Sequence, residues 1–205
     1  SVRKISNSSD LSFSIAERDS FLTGLKHFLS WSCFISIIVD YWAHSPNFLK
    51  PHGHADHARA GHDQVLATPQ TIEIMRHRYG ANCAGSFQPL AFGERLAIDD
   101  MTVSLHPAGH ILGSAQVLME YDGRRAVVTG DYKTHPDSTA QTFELVPCDL
   151  FVTEATFGLP VFQHPDPMLE INRLLASVAA QPERCHVIGA YALGKAQRVI
   201  KLIRE

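Results

Sequence analysis

The sequence contains no C-x-x-C pair. Its four cysteines, Cys33, Cys83, Cys148 and Cys185, are widely spaced. That pattern gives no support to a thiolate zinc site and fits a reduced, intracellular protein, with a cytoplasmic location expected, better than a disulfide framework. The chain also lacks a long hydrophobic run. "FLSWSCFISIIV" (28–39) is uncharged for only twelve residues, against the ~20 needed to cross a bilayer. It begins well inside the chain and has no cleavage-site pattern, so neither a membrane span nor a signal peptide is expected. A general excess of positive charge is missing too. The net charge is -3 with histidines neutral, so contact with a polyanion would need a local patch or bound cations.

What is present is enough for a core. The 205 residues are 45% apolar and 19% charged, which suits one sizeable domain or a domain with part of an insertion. Residues 1–20 are polar and serine-rich, without a clear period. "FISIIV" (34–39) reads as a strand ending at Asp40, and "NFLK" as a weak strand before the loop "PHGHADH". "ARAGHD" is expected to open a short helix, and "QVLAT" to be a strand. "PQTIEIMRHRYG" has a starting proline, helical spacing of Ile72, Met75 and Tyr79, and a closing glycine, which together predict a helix. Strands then alternate through "FQPLAFGERLAIDDMTVSLHPA", with a turn near Asp99 and Asp100. "SAQVLMEYDGRRAVVTGDY" is a hairpin about its Asp-Gly. "DLFVTEAT" is a short strand and "DPMLEINRLLASVAAQ" an amphipathic helix. "CHVIGAYALGKAQRVIKLIRE" reads as strand, glycine turn and helix. The sum is an α/β fold.

Polar clusters recur where apolar strands run out: "IIVD", "HGHADH", "SLHPAGH", "VVTGD" and "FVTEATFG". Strand ends and the loops after them build sites, so five such endings suggest one convergent site. Three imidazoles and a carboxylate within "HGHADH" have no use in a solvated loop. Divalent ions such as zinc take imidazole nitrogen and carboxylate oxygen where thiolates are absent. In an extended segment alternate residues face one way, so His52 and His54 can grip one ion. Asp56 and His57 can turn toward a second. His110 and Asp131, both beside glycines, are the best candidates to complete the set. The remaining histidines, His27, His44, His62, His77, His135, His164 and His186, read as surface or hydrogen-bonded residues. His106 points away or stands behind the site.

The order H-x-H-x-D-H, a glycine-flanked His and T-G-D resembles the metallo-β-lactamase superfamily. "AGHILGSAQ", "VVTGDY", "TEATFG" and "AYALGKAQR" resemble its nucleic-acid-processing branch with a β-CASP-type insertion. Residues from about 52 to 205 are most similar to bacterial ligase-associated DNA exonucleases. The resemblance implies an αββα sandwich, here in part, with the start of a β-CASP-like insertion. Its expected divisions are a poorly matched 1–33, a metallo-β-lactamase half-domain over 34–160, and a β-CASP-like region from 161–205. It implies that His52, His54 and His110 hold one metal, that Asp56 and His57 hold the other, and that Asp131 bridges them. Asp40 would orient the His-rich loop from behind, and Glu154 would orient groups near the metals or the scissile phosphate. The ions would be zinc, with manganese as the alternative.

The implied activity is metal-dependent phosphodiester hydrolysis, as a DNA exonuclease in repair with a functional link to an ATP-dependent DNA ligase. The ligands alone do not separate DNA from RNA, and a non-catalytic metal-binding fragment is the reading from another class. Two departures accompany the resemblance. "NFLKP" replaces the usual apolar strand and hydroxyl residue before the His motif. The sequence opens on Ser1 and stops at "KLIRE" before any downstream histidine motif that would complete the second metal, so a fragment is expected.

Overall fold

The computed structural model describes residues 47–98 and 100–205. Asp40 and the expected strand at 34–39 lie outside the described residues. Leu49–Glu205 forms one compact unit. Its first sheet has three strands in the order β1 (Asn47–Lys50), β2 (His62–Ala67) and β3 (Ala84–Pro89). β2 and β3 are parallel, with His62 opposite Ala84 and Ala67 opposite Pro89. The helix α1 (Pro69–Tyr79) makes the crossover between them, as parallel strands require. Thr68 caps α1, accepting from the Thr71 N–H at 3.2 Å, and proline takes the first helical position, where its missing N–H costs nothing. Ile72 and Met75 pack with Ala58, Val65, Ala67 and Cys83 in a small core between helix and sheet.

The second sheet runs in the order β4 (Arg95–Ile98), β5 (Met101–Pro107), β6 (Ala115–Tyr121), β7 (Arg124–Val128) and β8 (Leu150–Val152). All pairs are antiparallel except β7 with β8. β6 is the middle strand, and five consecutive residues from Ala115 to Met119 are buried. A strand covered on both faces explains why "AQVLM" shows little alternation. The β6–β7 hairpin turns on Asp122 and Gly123, at φ 47° and 71°, the backbone signature of the tight turn that Asp-Gly favours. Helices α2 (Pro167–Ala180) and α3 (Lys195–Arg204) follow. The α/β class expected from the sequence is therefore the class observed.

Three local readings differ. "ARAGHD" opens no helix: residues 58–61 are irregular, Gly61 takes a φ of 97°, and His62 already pairs in β2. "CHVIGA" forms no strand. It has no ladder partner among the described residues, and Val187 is 88% exposed. The helix at 167–180 exists, but Leu169, Leu175 and Val178 are exposed and only Ile171 is buried. By contrast, the irregular entry "NFLKP" does end in a strand. Pro51 has no N–H to give a ladder, yet its carbonyl accepts from Ala115 N at 2.7 Å. Lys50 is buried and its ammonium lies 2.9 Å from His62 Nε2. Burial, then the charge of Arg59, lowers the Lys50 pKa to about 8.

Candidate metal centre

Three segments bring the centre together. The first is the loop after β1. His57 N and Ala58 N both donate to His54 O, at 3.1 and 2.7 Å. This turn brings the His57 ring back against His52, with centroids 4.4 Å apart. Gly53 sits against α1, where a Cβ would meet Ile74 Cγ2 at 2.8 Å, and Arg78 Nη1 donates to Gly53 O at 2.6 Å. The second segment follows β5. Gly109 has a φ of 74° and no room for a side chain against the Lys133 carbonyl and Phe143. Ser114 Oγ accepts from both His110 N (2.9 Å) and Ile111 N (3.1 Å), so the backbone around His110 is held at two points. The third segment is the end of β7, where Gly130 (φ 57°) passes Pro51 and delivers Asp131.

Among the described residues, His52, His54, His110 and Asp131 each offer one ligand atom, and these atoms all lie within 4.8 Å of one another. Asp131 Oδ2 is 3.5 Å from His52 Nε2, 3.7 Å from His110 Nε2 and 3.9 Å from His57 Nε2. Asp56 Oδ2 stands 3.4 Å from His57 Nε2 and is largely exposed. Asp131 Oδ2 thus lies within 4 Å of a ring nitrogen of three histidines, His52, His57 and His110.

The electrostatics favour neutral donors. Burial, then the neighbouring His57, His110 and His54, lowers the His52 pKa to about 2. Burial likewise lowers that of His110, with Asp131 and Glu154 pulling the other way. Neutral imidazole is the form that ligates a metal. His52 is 1% exposed, and neither of its ring nitrogens has a hydrogen-bond partner among the described residues. A buried polar atom without a partner is costly, and a cation between His52 Nε2 and Asp131 would satisfy one of the two.

His54 gives the same indication. Its Nε2 faces the Leu193 carbonyl at 3.3 Å. A carbonyl only accepts, so a hydrogen bond here needs the proton on Nε2, and the neutral ring then has its lone pair on Nδ1. That Nδ1 is 3.2 Å from His110 Nε2. Three imidazoles and a carboxylate without thiolate are a donor set suited to zinc.

Glu154 is not one of the four. Its Oε2 accepts from Thr156 N at 2.8 Å, and its charge reaches His110. His106 is also outside the cluster, between Ser104 Oγ and Glu144 Oε1 at 3.1 and 3.0 Å. Lys133 is committed to Asp137 at 2.8 Å, whereas Arg125 Nε only approaches Glu120, at 3.8 Å. Sequence reasoning missed Thr68, Thr71, Arg78, Ser114 and Leu193, which hold the ligand loops. Glycines beside the ligands were the available signal, because close backbone approach implies something fixed on the other side.

No family model matches the chain. It is 33% identical over 158 residues to a protein of Opitutus terrae named a probable DNA ligase, covering 75% of this chain and 15% of that one. It is 27% identical over 146 residues to cleavage and polyadenylation specificity factor 73 of Drosophila melanogaster, covering 70% and 20%. It is 28% identical over 119 residues to an RNase J-like protein of Methanocaldococcus jannaschii, covering 56% and 28%. The chain belongs to the metallo-β-lactamase superfamily, in its β-CASP nuclease branch. As a member of that branch it spans between 15% and 28% of the length of these three relatives.

Proposed function

We propose that this chain carries the metal centre of a β-CASP phosphodiesterase that hydrolyses DNA as an exonuclease in repair. The observation that carries the reading is the convergence of His52, His54, His110 and Asp131 within 4.8 Å. His52, His54 and His110 hold one divalent ion, Asp56 and His57 the other, and Asp131 is shared. Zinc suits these donors best and manganese is the alternative. Such ions supply Lewis acidity toward phosphate oxygens and acidify water toward neutral pH. The chain contributes the rest. Its neutral imidazoles add no charge of their own to repel the ions. Asp56, the more exposed carboxylate, would accept the one proton lost by the attacking water, and the leaving sugar oxygen would take its proton from solvent. Glu154, near His110, sets the negative boundary that orients the phosphate. The role proposed for Asp40, to orient the His-rich loop, is carried over from the resemblance alone. Residues 34–160 are the metallo-β-lactamase part and 161–205 the beginning of the β-CASP region.

The name of the Opitutus terrae relative supports DNA as substrate and a functional link to a DNA ligase, which the resemblance makes an ATP-dependent one. The names of the Drosophila melanogaster and Methanocaldococcus jannaschii relatives support the second reading, an RNA-processing nuclease on the same centre. A cytoplasmic location suits either substrate, and no helix among the described residues is long and apolar enough to cross a membrane.

The test is cleavage of matched DNA and RNA strands, end-labelled, by purified protein with zinc or manganese. Release of mononucleotides from DNA, lost in His54→Ala, is expected. Preferential RNA cleavage selects the second reading. Equal behaviour of wild type and His54→Ala on both polymers refutes both.

A further inference from the structure

The segment from Tyr191 to α3 touches all three ligand-bearing segments. The Leu193 carbonyl accepts from His54 Nε2. Next to it, Gly194 has a φ of 86°, and a Cβ there would meet Ile111 Cγ2 at 2.5 Å, one residue from His110. Further along, Arg198 Nε lies 3.3 Å from Asp137 Oδ2, and Lys201 Nζ donates to Ser138 O at 2.9 Å. That loop continues from Asp131, and Lys133 N bonds back to Ala108 O at 2.9 Å.

The contact is built rather than incidental. Gln197 accepts from Gly194 N at 2.7 Å and donates to Ala192 O at 2.9 Å. It thereby fixes the turn that presents the Leu193 carbonyl. Asp137, its side chain 6% exposed, gathers Lys133, Arg198 and the Thr139 hydroxyl. Burial by itself would raise the Asp137 pKa. The hydrogen bonds from Lys133 and Thr139 outweigh it and hold the group at about 2, so the anchor is charged throughout the working range.

We infer that residues 191–201 are a positioning brace for the metal centre, in which the Leu193 carbonyl holds His54 as its Nε2–H tautomer and the Arg198–Asp137 pair holds that carbonyl in place. The inference rests on the metal-centre reading above. A ligand histidine whose other nitrogen is held by a fixed acceptor is oriented before the ion arrives, and loss of such support costs about 10–100-fold in metal affinity. The brace therefore couples zinc affinity to the docking of a helix that supplies no ligand. Arg198 acts only through Asp137 and Leu193, and is a positioning residue.

The test has two readouts. Long-range proton–nitrogen NMR of the metal-free, histidine-labelled protein reports the His54 tautomer. Chelator competition with zinc alone reports affinity. Wild type is expected to show protonated Nε2 at His54. Arg198→Ala should mix the tautomers and weaken zinc about tenfold, and Arg198→Lys should recover most of the loss. Gly194→Ala, which displaces the carbonyl from the other side, should repeat the Arg198→Ala result if that protein is poorly folded. A wild type with His54 protonated at Nδ1 overturns the inference. So does unchanged zinc affinity in both Arg198→Ala and Gly194→Ala. A wild type that binds no zinc overturns the metal-centre reading instead, while the tautomer still decides whether the contact exists.

Discussion

At the scale of single residues, His52 has the strongest demand on it. It is 1% exposed, with two ring nitrogens lacking hydrogen bonds among the described residues, and its pKa is lowered to about 2. The sign of the consequence follows from linkage. In the unfolded chain a histidine takes up a proton near pH 6.5, whereas folded His52 resists it. The unfolded state therefore binds more protons between about pH 6.5 and 2, and stability falls as pH drops through that window. Metal-free protein should lose thermal stability from pH 7 to pH 5, and His52→Gln should flatten that slope. An unchanged slope in thermal melts of the variant would place the acid sensitivity elsewhere. That His52, His54, His110 and Asp131 come together was legible in the sequence, because imidazoles at such spacing have few other uses. The tautomer of His54 was not, because its partner is a backbone carbonyl 139 residues away. A carbonyl leaves no trace in residue type.

Among the elements, α1 does the most for the centre. Its first turn presents Thr68 and Thr71, both fully buried, whose hydroxyls lie 2.8 and 3.2 Å from the Gly113 carbonyl. Its last turn supplies Arg78 to the Gly53 carbonyl. One helix thus braces the loop of His110 at one end and the loop of His54 at the other. Thr68→Val removes the helix cap and one of two donors to Gly113. Urea denaturation should show a loss of about 1–3 kcal/mol, with Thr68→Ser close to wild type. Equal stability of Val and Ser variants would contradict this role.

The β6–β7 hairpin is a control from the far side of the sheet. Gly123→Ala forces a side chain into φ 71° without a clash. It should cost about 1 kcal/mol of stability and leave zinc affinity unchanged.

The period and caps that mark α1 were readable locally. The failures at "ARAGHD" and "CHVIGA" have one cause. Short apolar or helix-compatible runs are decided by whether a partner strand lies alongside, and His62 has Ala84 while Val187 has none among the described residues. The exposed stripe of α2 was equally beyond pattern, since periodicity states a helix's face and not what covers it.

For the whole molecule, charge sets the terms. With a net charge of -3 and Lys133 paired to Asp137, the chain has no general excess of positive charge for a polyanion. On the proposed reading, the ions supply that attraction. Chelation should then abolish retention of single-stranded DNA as well as its hydrolysis, measured by filter binding before and after metal removal. Retention that survives chelation would show a basic surface independent of the centre.

The central claim is that three imidazoles and one carboxylate, without sulfur, converge on a single cation, and zinc-edge X-ray absorption of the loaded protein tests it most directly. The account predicts a first shell of nitrogen and oxygen at about 2.0–2.1 Å, with the outer-ring scattering of imidazole, and loss of that scattering in His52→Ala. A thiolate shell near ~2.3 Å, or a spectrum of zinc surrounded only by water, would contradict it.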